Sequence, residues 1–118
     1  MADRQVAGAK RQLLDPWTRW FLRHDPAPDL RALRVPVLAL NGALDVQVTP
    51  AENLAAIAAA VRSGGWASVD TVTFPRLNHL FQTATTGAPA EYARIDETIA
   101  PAVLDRITAW ILALPRSR

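Results

Sequence analysis

The chain has 118 residues, of which half are hydrophobic and a fifth are charged, as is typical of one globular domain. The formal net charge is only +2, with acidic and basic residues interleaved, so the concentrated basic face that nucleic-acid binding requires is missing. The absence of cysteine excludes disulfides, thiolate zinc sites and a cysteine nucleophile. No segment approaches the roughly 18 consecutive apolar residues of a membrane span.

The amino-terminal segment from Met1 to Leu14 has charged residues without an apolar block between them. It therefore does not resemble a secretory signal, and a cytoplasmic location is the expectation. The chain has one local cluster of basic residues, which is interpreted as a solvated helix face: Arg19, Arg23, His24, Arg31 and Arg34.

The first predicted helix begins at Pro16, because Asp15 can cap it and proline fits the first helical position. It should end near Arg23, before a proline-rich turn. Arg19 and Arg23 are expected to face water. Helical spacing predicts that three aromatic residues pack into a core or onto a partner surface: Trp17, Trp20 and Phe21.

A short helical turn from Pro28 to Leu33 precedes the most strongly predicted strand. The run from Val35 to Leu40 is apolar without alternation, which indicates a strand covered on both faces in a parallel sheet. Asn41 and Gly42 have turn chemistry and are expected to end it. Asp45 then lies just beyond the carboxyl end of the strand, where open α/β sheets bind ligands.

The next predicted helix begins at a capping box formed by Thr49 and Glu52, with Pro50 at the first helical position. It should run to about Arg62 and end at the Ser-Gly-Gly sequence that follows. Four residues form its apolar face: Leu54, Ile57, Ala58 and Val61.

The segment Val69 to Phe74 is β-branched and aromatic but partly polar, which predicts a strand near a sheet edge. Strand, helix and strand together predict a right-handed βαβ unit in an α/β fold. A loop from Pro75 to Pro89 and a helical turn from Ala90 to Ile95 follow. Pro101 opens a last helix, which should end at Pro115 and pack on the sheet through residues with a 3.6-residue period: Val103, Leu104, Ile107, Trp110, Ile111 and Leu114.

Two loops carry the residues that point to chemistry. NGALDVQVTP (Asn41 to Pro50) contains Asp45, and PRLNHLFQ (Pro75 to Gln82) contains His79. With the strands, the Thr-Pro helix start, the terminal helix and the upstream stretch DPWTRWFLRHDPAPDLRALRVP, residues 16–114 resemble the C-terminal part of an α/β-hydrolase, of the serine esterase and aminopeptidase type. In that fold the triad acid and histidine follow late strands, in this order. The resemblance implies that residues 1–118 are a single partial domain, the C-terminal third of such an enzyme, with two parallel strands packed by helices.

The resemblance also implies roles for the two residues. Asp45 would accept the Nδ1 proton of His79, and Nε2 of His79 would take the proton of a serine as general base. The substrate would be a small-molecule carboxylic ester or a peptide-like amide, and no cofactor is implied.

Four residues near the pair are candidates for secondary roles. Asn78 and Phe81 flank the histidine and could hold its loop, but turn formation for Asn78 and core packing for Phe81 are the favoured interpretations. Gln47 and Gln82 could line a pocket, although polar loop residues are ordinarily solvated.

The nucleophile of the family has no counterpart in this sequence. The nucleophile elbow reads G-x-S-x-G at a turn from strand to helix, and none of the serines Ser63, Ser68 and Ser117 fits it. The covalent step and the oxyanion donors would both be missing, so the isolated chain is expected to be inactive. A reaction of the dyad with water is a further, less favoured hypothesis.

Two alternatives remain open. The chain could be a binding or assembly module derived from an α/β-hydrolase, because the apolar run from Val35 to Leu40 should seek a neighbouring strand. A homo-oligomer is then predicted, through this strand edge or the helix with Trp17 to Phe21, since a two-stranded sheet is marginal by itself.

A metal site with His24, His79 and Asp45 matches no known ligand spacing. No metal, nucleic acid or membrane is predicted as a partner.

Overall fold

The computed structural model describes residues 2–115. The helices are α1 (Ala2–Leu14), α2 (Pro16–Arg23), α3 (Ala27–Ala32), α4 (Pro50–Gly64) and α5 (Pro101–Ala113), with a 3-10 helix over Pro89–Arg94. The strands are β1 (Val37–Gly42) and β2 (Val69–Phe74).

The two strands form a parallel sheet in which Val37 lies opposite Val69 and Gly42 lies opposite Phe74. Helix α4 connects them and packs on both strands. Its predicted apolar face is confirmed, with Ile57 partly buried and three buried residues: Leu54, Ala58 and Val61. The structure therefore confirms a mixed α/β segment with one parallel βαβ unit.

The bounds of β1 correct the sequence prediction at both ends. The strand begins at Val37, after Pro36, which has no amide proton to contribute to a sheet. At the other end, Asn41 and Gly42 do not terminate the strand but pair with the last two residues of β2. The prediction that they form a turn is wrong, because β2 is long enough to offer backbone partners to both.

The helix starts follow the predicted chemistry only in part. Asp15 caps α2 by accepting a hydrogen bond of 3.1 Å from the backbone amide of Thr18. The predicted capping box at α4 is wrong, since the side chain of Thr49 makes no capping hydrogen bond. The predicted start of α4 at Pro50 is confirmed, since the fixed φ of proline suits the first helical position.

The aromatic residues of α2 do not enter a core. Trp17, Trp20 and Phe21 are each more than half exposed, and α2 has no buried residue. The prediction that they pack into a core is therefore wrong, and packing onto a partner surface stays a prediction. Trp17 stacks on Phe21 with ring centroids 5.3 Å apart, and Trp20 stacks on His24 at 4.9 Å. Trp17, Trp20 and Phe21 are called the α2 aromatic surface below.

A small core lies where α5 meets the carboxyl ends of the strands. Leu77, Ala100 and Val103 are its buried centre, and partly buried residues pack around it: Leu40, Phe74, Phe81 and Ile107. The predicted apolar stripe of α5 is thus only partly covered, and Leu104 and Ile111 remain about half exposed.

The chain exposes far more surface than a compact monomer of its size. Its accessible surface is 8949 Å², against about 6,300 Å² expected from surface scaling. Its radius of gyration is 17.6 Å, against about 13.5 Å for a compact domain of this length. Among residues 2–115, none of the helices combines the length and apolarity needed to cross a membrane.

Candidate active site

The loops after β1 and β2 meet at the carboxyl edge of the sheet. The backbone amide of Ala43 donates to the carbonyl of Phe74 at 2.8 Å, and that of Leu44 donates to the carbonyl of Leu77 at 2.9 Å. Gly42 permits this approach, because a Cβ there would overlap the carbonyl oxygen of Leu77 and lie 2.6 Å from that of Asn78. The close backbone contact brings the Asp45 loop beside the His79 loop.

Asp45 is buried, and both of its carboxylate oxygens are hydrogen-bonded. Oδ1 accepts from the backbone amides of Gln47 and Val48, each at 2.9 Å. Oδ2 accepts from Nδ2 of Asn41 at 3.1 Å and lies 3.0 Å from Nδ1 of His79. An ionised carboxylate offers about four acceptor positions, so this one is fully used and its orientation is fixed.

These contacts favour the ionised form of Asp45. Burial alone raises the pKa of this carboxyl group, but the backbone hydrogen bond from Val48, the contact with His79 and the backbone hydrogen bond from Gln47 together outweigh it, and the pKa is lowered from 3.8. Asp45 is therefore a carboxylate across the physiological range, as a group that orients an imidazole must be.

The lowered pKa of Asp45 predicts a specific acid response. A depressed pKa in the folded state contributes stability above the unfolded value, and this contribution is lost as the pH falls through the folded value. We expect Asp45→Asn to be less stable than wild type at neutral pH and to lose less stability below about pH 4. Urea denaturation at a series of pH values measures this.

Glu91 is a second carboxylate that should contribute to the loss of stability at low pH in that experiment. Its carboxylate accepts from the backbone amides of Thr86 and Gly87, and its pKa is also lowered, because these hydrogen bonds outweigh the opposing effect of burial. Some acid sensitivity should therefore persist in Asp45→Asn. Parallel pH curves for wild type and Asp45→Asn would contradict the role assigned to Asp45.

The His79 loop is built around Asn78, whose side chain is 0% exposed. Its Oδ1 accepts from the backbone amides of Leu80 and Gln82, both at 2.9 Å, and its Nδ2 donates to Oε1 of Gln82 at 3.0 Å. These hydrogen bonds form a turn, which is the favoured sequence interpretation of Asn78. They also rigidify the residues on either side of the histidine.

Phe81 completes the loop in an uncommon backbone conformation. Its φ is +58°, a region that costs a residue with a Cβ on the order of 1 kcal/mol or more. The ring packs edge-on against Phe74 with centroids 6.3 Å apart, and the carbonyl accepts from the amide of Ala100 at 2.8 Å. Core packing, the favoured interpretation for Phe81, holds the loop in this shape.

His79 presents its second ring nitrogen away from Asp45. The side chain is 37% exposed, and no hydrogen bond joins Nε2 to a protein group within residues 2–115. A cavity of about 180 Å³ lies beside the pair. Its lining combines apolar and polar side chains: Leu40, Asn41, Asp45, Val48, Asn53, His79 and Phe81.

The two glutamines considered as possible pocket residues do not line this cavity. Gln47 donates to the hydroxyl of Tyr92 at 2.7 Å and so ties the Asp45 loop to the 3-10 helix. Gln82 is buried and engaged by Asn78. The side-chain amides of both residues are hydrogen-bonded elsewhere, so the less favoured of their two interpretations, a pocket role, does not apply to this cavity.

The serines in the described region lie away from the pair. Ser63 sits in the last turn of α4, where its hydroxyl donates to the carbonyl of Ala60 and accepts from Arg31. Ser68 precedes β2 and pairs through its carbonyl with the start of β1, at the opposite end of the sheet from Asp45 and His79. Ser117 lies outside the described residues.

The residues considered for metal binding form two separate pairs. His24 lies 3.2 Å from Asp29 at the surface, and His79 lies 3.0 Å from Asp45. Within residues 2–115, no cluster of three or more histidine, cysteine, aspartate or glutamate residues could hold a metal ion.

No protein-family model matches the chain, and no curated protein and no solved structure matches it either. The geometry of the site is therefore the basis for interpreting its chemistry. An imidazole that is oriented through Nδ1 by a buried carboxylate, with Nε2 free, can act as a general base and then as a general acid.

Two members of the site were not among the predicted candidates. Asn41 bonds directly to Asp45, and Asn53 bonds to Asn41. The signal available in the sequence was a polar amide at the end of an apolar strand and another in the first turn of the following helix. Amides at such positions are more often turn or surface residues, which is why the pattern alone did not mark them.

Proposed function

We propose that this chain is the acid and base portion of a serine hydrolase that cleaves carboxylic esters or peptide-like amides by acyl transfer. The observation that carries the proposal is the contact of 3.0 Å between Nδ1 of His79 and Oδ2 of Asp45. This distance falls in the range of roughly 2.6 to 3.2 Å needed for a functional base and its orienting group. The chain departs from such an enzyme in two respects, the missing nucleophile and the missing oxyanion donors.

The arrangement supports the second and third members of a triad. A carboxylate held by two backbone amides cannot rotate away from the imidazole, so it fixes one tautomer and stabilises the imidazolium. The cavity beside the pair is partly apolar, which suits the acyl or leaving group of an uncharged ester better than a charged substrate.

The pair needs a nucleophile and oxyanion donors from another segment of polypeptide. The serines described above lie elsewhere, and electrostatic stabilisation of the oxyanion usually accelerates such reactions more than any other single effect. We therefore expect the isolated chain to remain unlabelled by a fluorophosphonate probe and to show no turnover of p-nitrophenyl acetate above buffer. Turnover that His79→Ala abolishes would contradict this expectation.

A longer protein provides the stronger test. The codons that precede Met1 in the gene should encode an in-frame G-x-S-x-G, and the extended protein should react with the same probe at that serine. We expect Asp45→Asn to lower its kcat by about 10⁴, as loss of the orienting carboxylate does in serine proteases, and His79→Ala to lower it at least as much.

The exposed pair of His24 and Asp29 provides the matched control. It has a similar separation, 3.2 Å, but lies at the surface. His24→Ala and Asp29→Asn should leave kcat within a few-fold of wild type. An extended protein that lacks the nucleophile sequence, or that is active but indifferent to His79→Ala, would overturn the proposal.

The second candidate function is a non-catalytic binding or assembly module. The observation that favours it is the surface in excess of a compact monomer by roughly 2,600 Å², which exceeds the 800 Å² or so per partner that a standard interface covers. Homo-oligomerisation through the free edge of β1 or the α2 aromatic surface is its prediction. A monodisperse monomer by light scattering at high micromolar concentration would contradict it.

A further inference from the structure

A continuous series of side-chain hydrogen bonds connects helix α4 to the acid and base pair. Nδ2 of Asn53, in the first turn of α4, donates to Oδ1 of Asn41 at 2.8 Å. Nδ2 of Asn41, near the end of β1, donates to Oδ2 of Asp45 at 3.1 Å and to the carbonyl of Val48 at 3.2 Å. Asp45 in turn meets His79. Four separate segments of the chain are therefore joined at one point.

The chemistry of the partners determines which way the amide of Asn41 faces. A carboxylate and a backbone carbonyl can only accept hydrogen bonds, so the NH₂ group of Asn41 has to lie toward Asp45 and Val48. Its oxygen then points the other way and needs a donor, because Asn41 is buried. The amide of Asn53 supplies that donor. Asn53 thus holds the one polar atom of this amide that Asp45 and Val48 leave without a partner, and so restrains the side chain that contacts Asp45.

We propose that Asn53 and Asn41 are positioning residues that hold Asp45 against His79. Neither needs to touch a substrate: their effect reaches the chemistry through the direction of one carboxylate oxygen. The inference rests on the proposed function, since positioning matters for catalysis only if the pair is an acid and base. The positioning role can be measured in the isolated chain, because it acts on the hydrogen bond between His79 and Asp45.

Asn53→Asp is the most informative substitution. It preserves the shape of the side chain but replaces the donor that faces Oδ1 of Asn41 with an acceptor. Two acceptors repel, so the side chain of Asn41 should be displaced and its hydrogen bond to the carboxylate of Asp45 should lengthen. The bond from Nδ1 of His79 to Asp45 should then weaken. Asn53→Ala removes the donor without adding an acceptor, so it should loosen Asn41 and weaken the bond less than Asn53→Asp does.

The tautomer of His79 is the readout. Long-range ¹H–¹⁵N correlation spectra recorded well above the ordinary imidazole pKa of about 6.5 distinguish a proton on Nδ1 from one on Nε2. In wild type we expect the Nδ1-protonated form to be the major one. In Asn53→Asp it should become the minor form, whereas in Asn53→Ala it should stay the major form. If Asn53 had a purely structural role, Asn53→Ala should alter the tautomer of His79 more than Asn53→Asp does, because alanine removes more of the side chain.

Ala51→Asp controls for the added charge, since Ala51 is exposed in the same helical turn, and it should leave the tautomer unchanged. If wild-type His79 carries its proton on Nε2, the acid and base pair itself fails. If wild type carries it on Nδ1 and Asn53→Asp does not alter it, only the positioning role is overturned.

In wild type, the side-chain amide protons of Asn41 should also exchange slowly with solvent, and fast exchange would overturn the role without any variant.

Discussion

Gly42→Ala should unfold the chain or leave it severely destabilised. The added methyl group would overlap the carbonyl oxygen of Leu77 and lie 2.6 Å from that of Asn78. Both are backbone atoms, which cannot move aside as a flexible side chain can. We expect a loss of about 3 kcal/mol in the free energy of unfolding, at the upper end for overpacking. Urea denaturation followed by far-ultraviolet circular dichroism measures it.

Gly8→Ala is the matched control for that substitution. Gly8 lies inside α1, and in the part of the chain that the structure describes nothing beyond the adjoining helix backbone lies within 4 Å of a Cβ built there. Alanine is the better helix former by roughly 0.5 to 1 kcal/mol, so this variant should be as stable as wild type or more so. Equal stability of the two alanine variants would show that the approach of the two loops at Gly42 is looser than described.

Asn78→Ala is expected to have the second largest effect. It removes the acceptor of the backbone amides of Leu80 and Gln82 and the donor to the side chain of Gln82. Each buried group left without a partner costs about 1 to 3 kcal/mol, so the loss should reach about 3 kcal/mol. The same denaturation experiment applies.

Asn78→Asp tests whether the hydrogen bonds or the packing volume are responsible. A protonated aspartic acid can accept from both backbone amides and donate to Gln82, so it can reproduce every contact of the asparagine. Burial disfavours the ionised form and raises the pKa of such a group. The contribution is present at low pH and lost as the pH rises, so the penalty should be smaller near about pH 4 than at neutral pH. A penalty independent of pH would point to volume.

Local sequence patterns predicted the elements of this fold well. The helix from Pro16 to Arg23 and the strand from Val69 to Phe74 have the predicted bounds, because a capping residue, proline and a change in side-chain period are local signals. The prediction that Asn41 and Gly42 form a turn failed for a nonlocal reason. Whether a strand continues through residues with turn chemistry depends on whether its neighbour offers backbone partners.

In the candidate site, too, some features could be predicted from the sequence and others could not. The resemblance to α/β-hydrolases implied that Asp45 and His79 would meet, and the two parallel strands that precede them do end at the same edge of the sheet. The sequence could not reveal the bond from Asn53 through Asn41 to Asp45, since that depends on the angle at which α4 packs on β1. The exposure of Trp17 and Trp20 was equally inaccessible, because helical spacing indicates that residues share a face but not what covers that face.

The placement of the four tryptophans gives the chain a built-in optical reporter. Trp17, Trp20 and Trp66 are each more than half exposed, so most of the indole fluorescence should arise from rings in contact with water. Trp110 is less exposed than the other three: it is partly buried, and its Nε1 donates to Asp70 on β2 at 2.9 Å. A polypeptide that covers the α2 aromatic surface should therefore shift the emission to shorter wavelength while the sheet and α5 stay intact.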